Sequence, residues 1–312
     1  MRRVDRRWVW AAAAVVLPWL WFAVRSLGFV SDLAATGLPV LYAAAVVALG
    51  IAAGLRRRPE PAVGAVSFLL AGTVAVVGPW LARSGPMPVP ALRIVSANVR
   101  SGNPHREQAV GDALRQHGDL VMLIEAGRAK FTAPPEYPTV IRPKYSNQVI
   151  LARFPARLLD RPSGWPPRLR AHRLEVDAPS GRVVVYLAHL VRPHLGPQRI
   201  FKIRSQLADQ RREREALLRS AKAETAPVIL AGDFNTPDRS RGYRRIASRF
   251  RDAMRAKRAG PTFVAPLWRA FLLRIDHVFV PPGWCAARPA RFVLHGSDHR
   301  GIAVDVGPCP NP

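Results

Sequence analysis

The stretch VILAGDFNTPD occupies residues 228–238, opening as an apolar run and closing in small, acidic and amide side chains. The chain carries 47 Lys+Arg and only 21 Asp+Glu, so acids placed where a strand runs out need a reason. A short, continuous apolar run bounded by turn residues reads as a buried strand. Asp233 and Asn235 lie two apart at its end, and on a strand they project to the same side.

The pattern recurs outward from this stretch. From Ala91 onward the chain breaks into short β-rich runs at 92–99, 119–126, 147–154, 171–176, 182–190, 227–235, 274–280 and 290–299. Segments 105–117 and 196–223 read as helices, the second with a rough apolar stripe of Ile200, Ile203, Leu207, Leu217 and Leu218. Many strands with few intervening helices predict an α/β fold of packed β-sheets flanked by helices, not a doubly wound parallel sheet. Asn98, Glu125, His189, Asp233 with Asn235, and Asp298 with His299 stand at strand ends, while Asp276 and His277 sit in another strand. One Asn or Asp after a strand is ordinarily a turn former, and His277 alone reads as a packing or hydrogen-bonding residue. Six strands that carry only Asn, Glu, Asp and His at these places exceed what turn chemistry predicts, and sites are built on loops at a sheet edge.

The chain has 312 residues, room for more than one domain, and its 49% hydrophobic content excludes a disordered chain. Residues 8–24, 33–55 and 62–82 are apolar stretches of about the length that crosses a bilayer. They predict a membrane anchor over 1–82 with three transmembrane helices, followed by a Pro-rich linker at 83–91 and a catalytic domain over 92–312. Arg2, Arg3, Arg6 and Arg7 precede the first span, and Arg56, Arg57 and Arg58 follow the second. The positive-inside rule then places the N-terminus in the cytoplasm and the domain after Arg83 outside. That compartment permits a disulfide between Cys285 and Cys309, whose spacing matches no metal-ligand motif and argues against a cysteine zinc site. The formal charge of +26 suits an anionic partner, although an Arg-rich composition also follows from a GC-rich genome. No GxxxxGK loop occurs, which excludes a P-loop ATPase.

The set ANVRSG, LIEA, AHL, GDFN, RIDHVFV and SDHRGIAV, in this order over 92–306, resembles the endonuclease/exonuclease/phosphatase superfamily. The resemblance implies a four-layered α/β sandwich, two packed β-sheets flanked by helices, and Mg²⁺-dependent hydrolysis of phosphate esters, with Mn²⁺ as a possible substitute. It implies Glu125 as the principal metal ligand, with Asn98 close by and Asp298 assisting. Asp233 would position or deprotonate the attacking water, and Asn235 would hold a phosphate oxygen. His299, oriented by Asp276, would contact the scissile phosphate, with His189 as a second donor. Some family members carry an acid two residues after the first-motif Asn; Arg100 stands there in this chain, which removes a second carboxylate from that strand.

Three spans and an outward-facing domain resemble the membrane-bound branch that includes VanJ-type glycopeptide-resistance proteins. That implies a multi-pass protein of the bacterial cell membrane whose substrate is lipid-linked, such as a polyprenyl pyrophosphate. An extracytoplasmic nuclease would use the same residues on DNA, and a non-catalytic binding module would use the same fold. No protein partner is expected.

Overall fold

A computed structural model describes residues 60–310 apart from 84, 128, 195–199, 258 and 266–269, together with scattered positions between 16 and 47. The chain divides into two units, Met1–Leu81 with Pro237–Arg241 and Ala82–Thr236 with Gly242–Pro312.

In the first unit, helix α1 spans Glu60–Val77 and passes into a 3₁₀ turn at Gly78–Trp80. The span expected over 62–82 is therefore helical only to Val77, because Pro79 lacks the N–H that would continue the helix. Val66, Leu70 and Val74, four apart, leave apolar side chains exposed along α1. Among the described residues no helix is long and apolar enough to cross a membrane. The spans expected over 8–24 and 33–55 lie largely outside the described residues.

The second unit is built on two six-stranded sheets. The first runs, in spatial order, β13 (Trp284–Val293), β14 (Arg300–Pro308), β1 (Leu92–Asn98), β2 (Leu120–Ile124), β4 (Val149–Ala152) and β3 (Thr139–Ile141). The second runs β5 (Ala156–Leu159), β6 (Arg170–Ala178), β7 (Gly181–His189), β8 (Val228–Asp233), β12 (Asp276–Val280) and β9 (Arg251–Asp252). A separate hairpin pairs β10 (Phe263–Ala265) with β11 (Ala270–Leu273). The helices are α2 (Arg106–Leu114), α3 (Ile203–Ala223) and α4 (Arg241–Ala247).

Alternation along each strand sorts side chains into layers. Leu92, Ile94, Met122 and Ile150 of the first sheet share one core with Val185, Leu187, Ile229, Ala231 and Val278 of the second. The outer face of the first sheet, through Val95, Val121 and Leu151, packs on Ala109, Val110 and Ala113 of α2. The outer face of the second, through Val184, Leu230 and Phe279, packs on Leu217, Leu218 and Ala221 of α3. The result is a helix–sheet–sheet–helix stack, in agreement with the expected four layers. Burying each large aliphatic side chain contributes roughly 1.5–3 kcal/mol, which is why the central strands β2, β4 and β8 read as nearly unbroken apolar runs.

Several boundaries differ from expectation. The strand over 227–235 ends at Asp233, so Asn235 lies beyond it at φ +47° and strand alternation does not carry from Asp233 to Asn235. Glu125 likewise lies just past β2, at φ +60°. The strand expected over 290–299 stops at Val293, and Asp298 and His299 belong to the turn between β13 and β14, where Gly296 adopts φ +73°. Cys285 of β13 and Cys309 beyond β14 form a disulfide across neighbouring strands.

Candidate active site

The site grows from strand register. In the second sheet His189 of β7 pairs with Asp233 of β8, and Asp233 pairs with Asp276 of β12. Three chemistry-bearing residues thus form one row across three adjacent strands. All three share the parity of the inner-face residues Leu187, Ala231 and Val278, so they point between the sheets. Asn98, with the parity of Ile94, points back from the first sheet, and its Nδ2 donates to Asp233 Oδ2 at 3.0 Å. His277 has the opposite parity: its ring stacks 5.3 Å from Phe279 on the outer face and its Nε2 meets Thr236 O at 2.9 Å. It serves packing.

Asp233 is fully enclosed. Its Oδ1 accepts from Asn235 N at 2.9 Å, and its Oδ2 lies 3.8 Å from both His189 Nε2 and His299 Nε2. Burial, then the charge of Asp276, pushes the Asp233 carboxyl up. His299 Nδ1 meets Asp276 Oδ2 at 2.9 Å. Burial lowers the His299 imidazole, but Asp276 and Asp233 outweigh it and hold it at about 9. His189 is buried with its Nδ1 unpartnered among the described residues, and its Nε2 lies 3.7 Å from Glu125 Oε1.

Glu125 stands at the mouth, its side chain 23% exposed, where Oε2 accepts from Ser101 N at 2.6 Å. Burial pushes its carboxyl up, but the Ser101 N–H and the two imidazoles outweigh that and keep it below its ordinary value. A carboxylate that stays ionised and partly open, beside an amide oxygen of Asn98 that accepts from Arg100 N, fits a hard divalent cation. Asp233, Asp276 and His299 also bring ligand atoms within 4.8 Å of one another. Their geometry is that of a carboxylate–imidazole–carboxylate chain, with His299 Nδ1 on Asp276 at 2.9 Å and Nε2 facing Asp233 at 3.8 Å. Asp298 is half-buried in the turn, its carbonyl accepting from Val264 N at 2.8 Å, and no carboxylate contact joins it to Glu125 among the described residues.

Asn235 braces the site from below. Its Nδ2 donates to Leu190 O at 2.9 Å, and its own carbonyl accepts from Gln210 Nε2 at 2.7 Å. Gln210 also donates to Val191 O at 3.0 Å, and Glu213 Oε2 accepts from Val191 N at 2.8 Å. Two buried polar side chains on one face of α3 therefore fix the chain just beyond His189 and the residue two beyond Asp233. Sequence reasoning missed both, since a polar residue on a helix reads as solvent-facing. It also missed Thr262, whose Oγ1 accepts from Ile275 N and Asp276 N at 3.2 Å each. Ser297 was visible in the SDH motif without a role; its Oγ donates to Asn98 O at 2.7 Å and accepts from His299 N at 3.1 Å. Gly232, at φ +136°, lets β8 approach β7: a Cβ there would lie 2.1 Å from Ala188 O.

Comparisons with known proteins agree with this architecture. The chain is similar in fold to a humanized Danio rerio (D. rerio) TDP2, with 19% identity over 70% of this chain and 99% of that one, TM-score 0.52. A 3′ phosphatase, NExo, from Neisseria bound to a product DNA hairpin matches at 16% identity over 69% and 98%, TM-score 0.51. The human Nocturnin catalytic domain matches at 15% identity over 70% and 94%, TM-score 0.50. No curated protein matches. Residues 95–299 match the Endonuclease/Exonuclease/phosphatase family, which spans most of the second unit. The chain belongs to the endonuclease/exonuclease/phosphatase family and is, like its members, a metal-dependent hydrolase of phosphate ester bonds.

Proposed function

We propose that this chain is a membrane-anchored, Mg²⁺-dependent phosphohydrolase acting on a lipid-linked phosphate ester or pyrophosphate. The observation that carries the catalytic part is the convergence on Asp233 Oδ2 of Asn98 at 3.0 Å and of two imidazoles at 3.8 Å each. In this reading Glu125 and Asn98 hold Mg²⁺ or Mn²⁺, with Asp298 as a further candidate. A cation held there would supply Lewis-acid polarisation of the phosphoryl oxygen and offset developing charge. Asp233 orients the attacking water and takes its proton, which a carboxyl with a raised pKa does well once ionised. His299, kept protonated by Asp276, and His189 donate to phosphoryl oxygens. Asn235 holds Asp233 in place and offers its second amide hydrogen to the phosphate.

The membrane part is supported by the apolar runs at 8–24, 33–55 and 62–82 and by the exposed Val66, Leu70 and Val74 on α1. The arginines flanking these runs put the N-terminus in the cytoplasm and the catalytic unit outside the bacterial cell membrane. A Cys285–Cys309 disulfide suits that oxidising compartment. The formal charge of +26 favours acidic lipid headgroups, at about 1 kcal/mol per Lys or Arg near the surface. The same charge supports a second reading, an extracytoplasmic nuclease on DNA.

Purified full-length chain in detergent with Mg²⁺, presented with polyprenyl pyrophosphate, phosphomonoesters and plasmid DNA, separates these. Release of phosphate from the lipid is expected, lost on Asp233→Asn or Glu125→Gln. Efficient nicking of DNA with the lipid spared would replace the lipid reading by the nuclease. A C-terminal reporter active only in the cytoplasm would overturn the topology.

A further inference from the structure

We propose that Arg192 is a specificity residue of this site, receiving a second phosphate bonded to the scissile one, so that a pyrophosphate is favoured over a phosphomonoester. The proposal rests on the phosphohydrolase reading above. Arg192 lies three residues beyond His189, past the end of β7. The peptide before it is fixed from both sides, Val191 N by Glu213 at 2.8 Å and Val191 O by Gln210 at 3.0 Å, both buried residues of α3. Its guanidinium carbon sits 4.7 Å from the centre of the Phe263 ring. That ring is in turn 5.0 Å from the His299 ring, and the two residues bridge backbone to backbone. Among the described residues no carboxylate pairs with Arg192.

A half-buried guanidinium over an aromatic face, with no carboxylate partner among the described residues, is suited to receive an anion. One ring separates it from the imidazole placed on the scissile group. In this proposal the phosphoryl group at His299 is the scissile one, and the phosphate bonded to it extends past Phe263 to Arg192. In the reaction, water oxygen bonds to the terminal phosphorus and its proton passes to Asp233. The bridging P–O bond breaks, and its electron pair leaves with the phosphate that carries the organic group. The products are inorganic phosphate and a monophosphate. Charge gathers on the leaving phosphate, where Arg192 offsets it.

The test compares full-length wild type, Arg192→Gln and Arg192→Lys on farnesyl pyrophosphate, farnesyl monophosphate and a dinucleotide diester. Arg192→Gln is expected to lower kcat/KM on the pyrophosphate about 10- to 100-fold while leaving the monophosphate within about threefold. Arg192→Lys should fall between, keeping charge but losing the guanidinium's fork of donors. Thermal protection by inorganic pyrophosphate beyond that by phosphate should disappear in Arg192→Gln. An equal fall on both farnesyl substrates, an unchanged ratio, or a fall on the diester as large as on the pyrophosphate would overturn the assignment. Failure of the wild type on all three substrates would remove the phosphohydrolase reading itself, whereas activity with an unchanged ratio removes only the role of Arg192.

Discussion

Gly232 stands between an apolar strand and Asp233 at φ +136°, with no room for a Cβ against Ala188 O. Gly232→Ala should therefore cost about 3 kcal/mol or more, seen as a lowered urea midpoint, because left-handed backbone and a main-chain clash add. Asp233→Asn keeps shape but only one of the two acceptor oxygens, which take the Asn235 N–H and the Asn98 amide, and it removes the base; kcat on a phosphate ester should drop about 10²- to 10⁴-fold. The buried Asp252 tests electrostatics away from the site. Burial pushes its carboxyl up, but Arg274 at 2.6 Å, with His277 and Tyr243, outweighs it and holds it below the ordinary 3.8. A depressed carboxyl contributes stability that is present in full above 3.8 and lost as pH falls through the folded-state value. Urea midpoints should stay flat for this group from neutrality to about pH 5 and fall below pH 4, and Asp252→Asn should flatten that fall.

Among elements, α3 couples packing to catalysis. Leu217, Leu218 and Ala221 bury against the second sheet, while Gln210 and Glu213 hold the backbone beyond β7 and β8. Gln210→Leu leaves Val191 O and Asn235 O without their buried donor, costing roughly 1–3 kcal/mol. The expected signature is a fall in kcat/KM of about tenfold or more, because His189 and Asn235, both donors to the phosphoryl group in the proposed reaction, drift. Gln210→Glu, which keeps length but replaces the donor by an acceptor, should not restore the rate. The central strands were legible because a strand covered on both faces is apolar throughout, as in Val228–Ala231. The edge strands β3, β5 and β9, of two to four residues, are too short to show a period. The β13–β14 turn hid for another reason: the SDH motif looks like a strand end, whereas Gly296 and Ser297 fold it back so that His299 meets Asp276. The polar stripe of α3 carried no signal, since only the tertiary fold turns that face inward.

For the whole molecule, the Cys285–Cys309 bridge closes a separation of 24 residues around β13 and β14. Chain-entropy arguments give it roughly 3 kcal/mol. Reduction should lower the melting temperature without abolishing activity at moderate temperature, since neither cysteine adjoins Asp233. The row His189–Asp233–Asp276 has a broader consequence. Neighbouring strands are held about 4.8 Å apart by their ladder of hydrogen bonds, so the base and its flanking groups are spaced by a ruler that belongs to the sheet. Local fraying cannot stretch that ruler, and a slip of one residue would turn the acid away altogether. Catalytic competence is then quantised: molecules in a denaturant titration are fully active or inactive, and the activity curve superimposes on global unfolding. Slow amide exchange of Gly232 and His277, at the rate of the global opening, would be its counterpart in the ensemble.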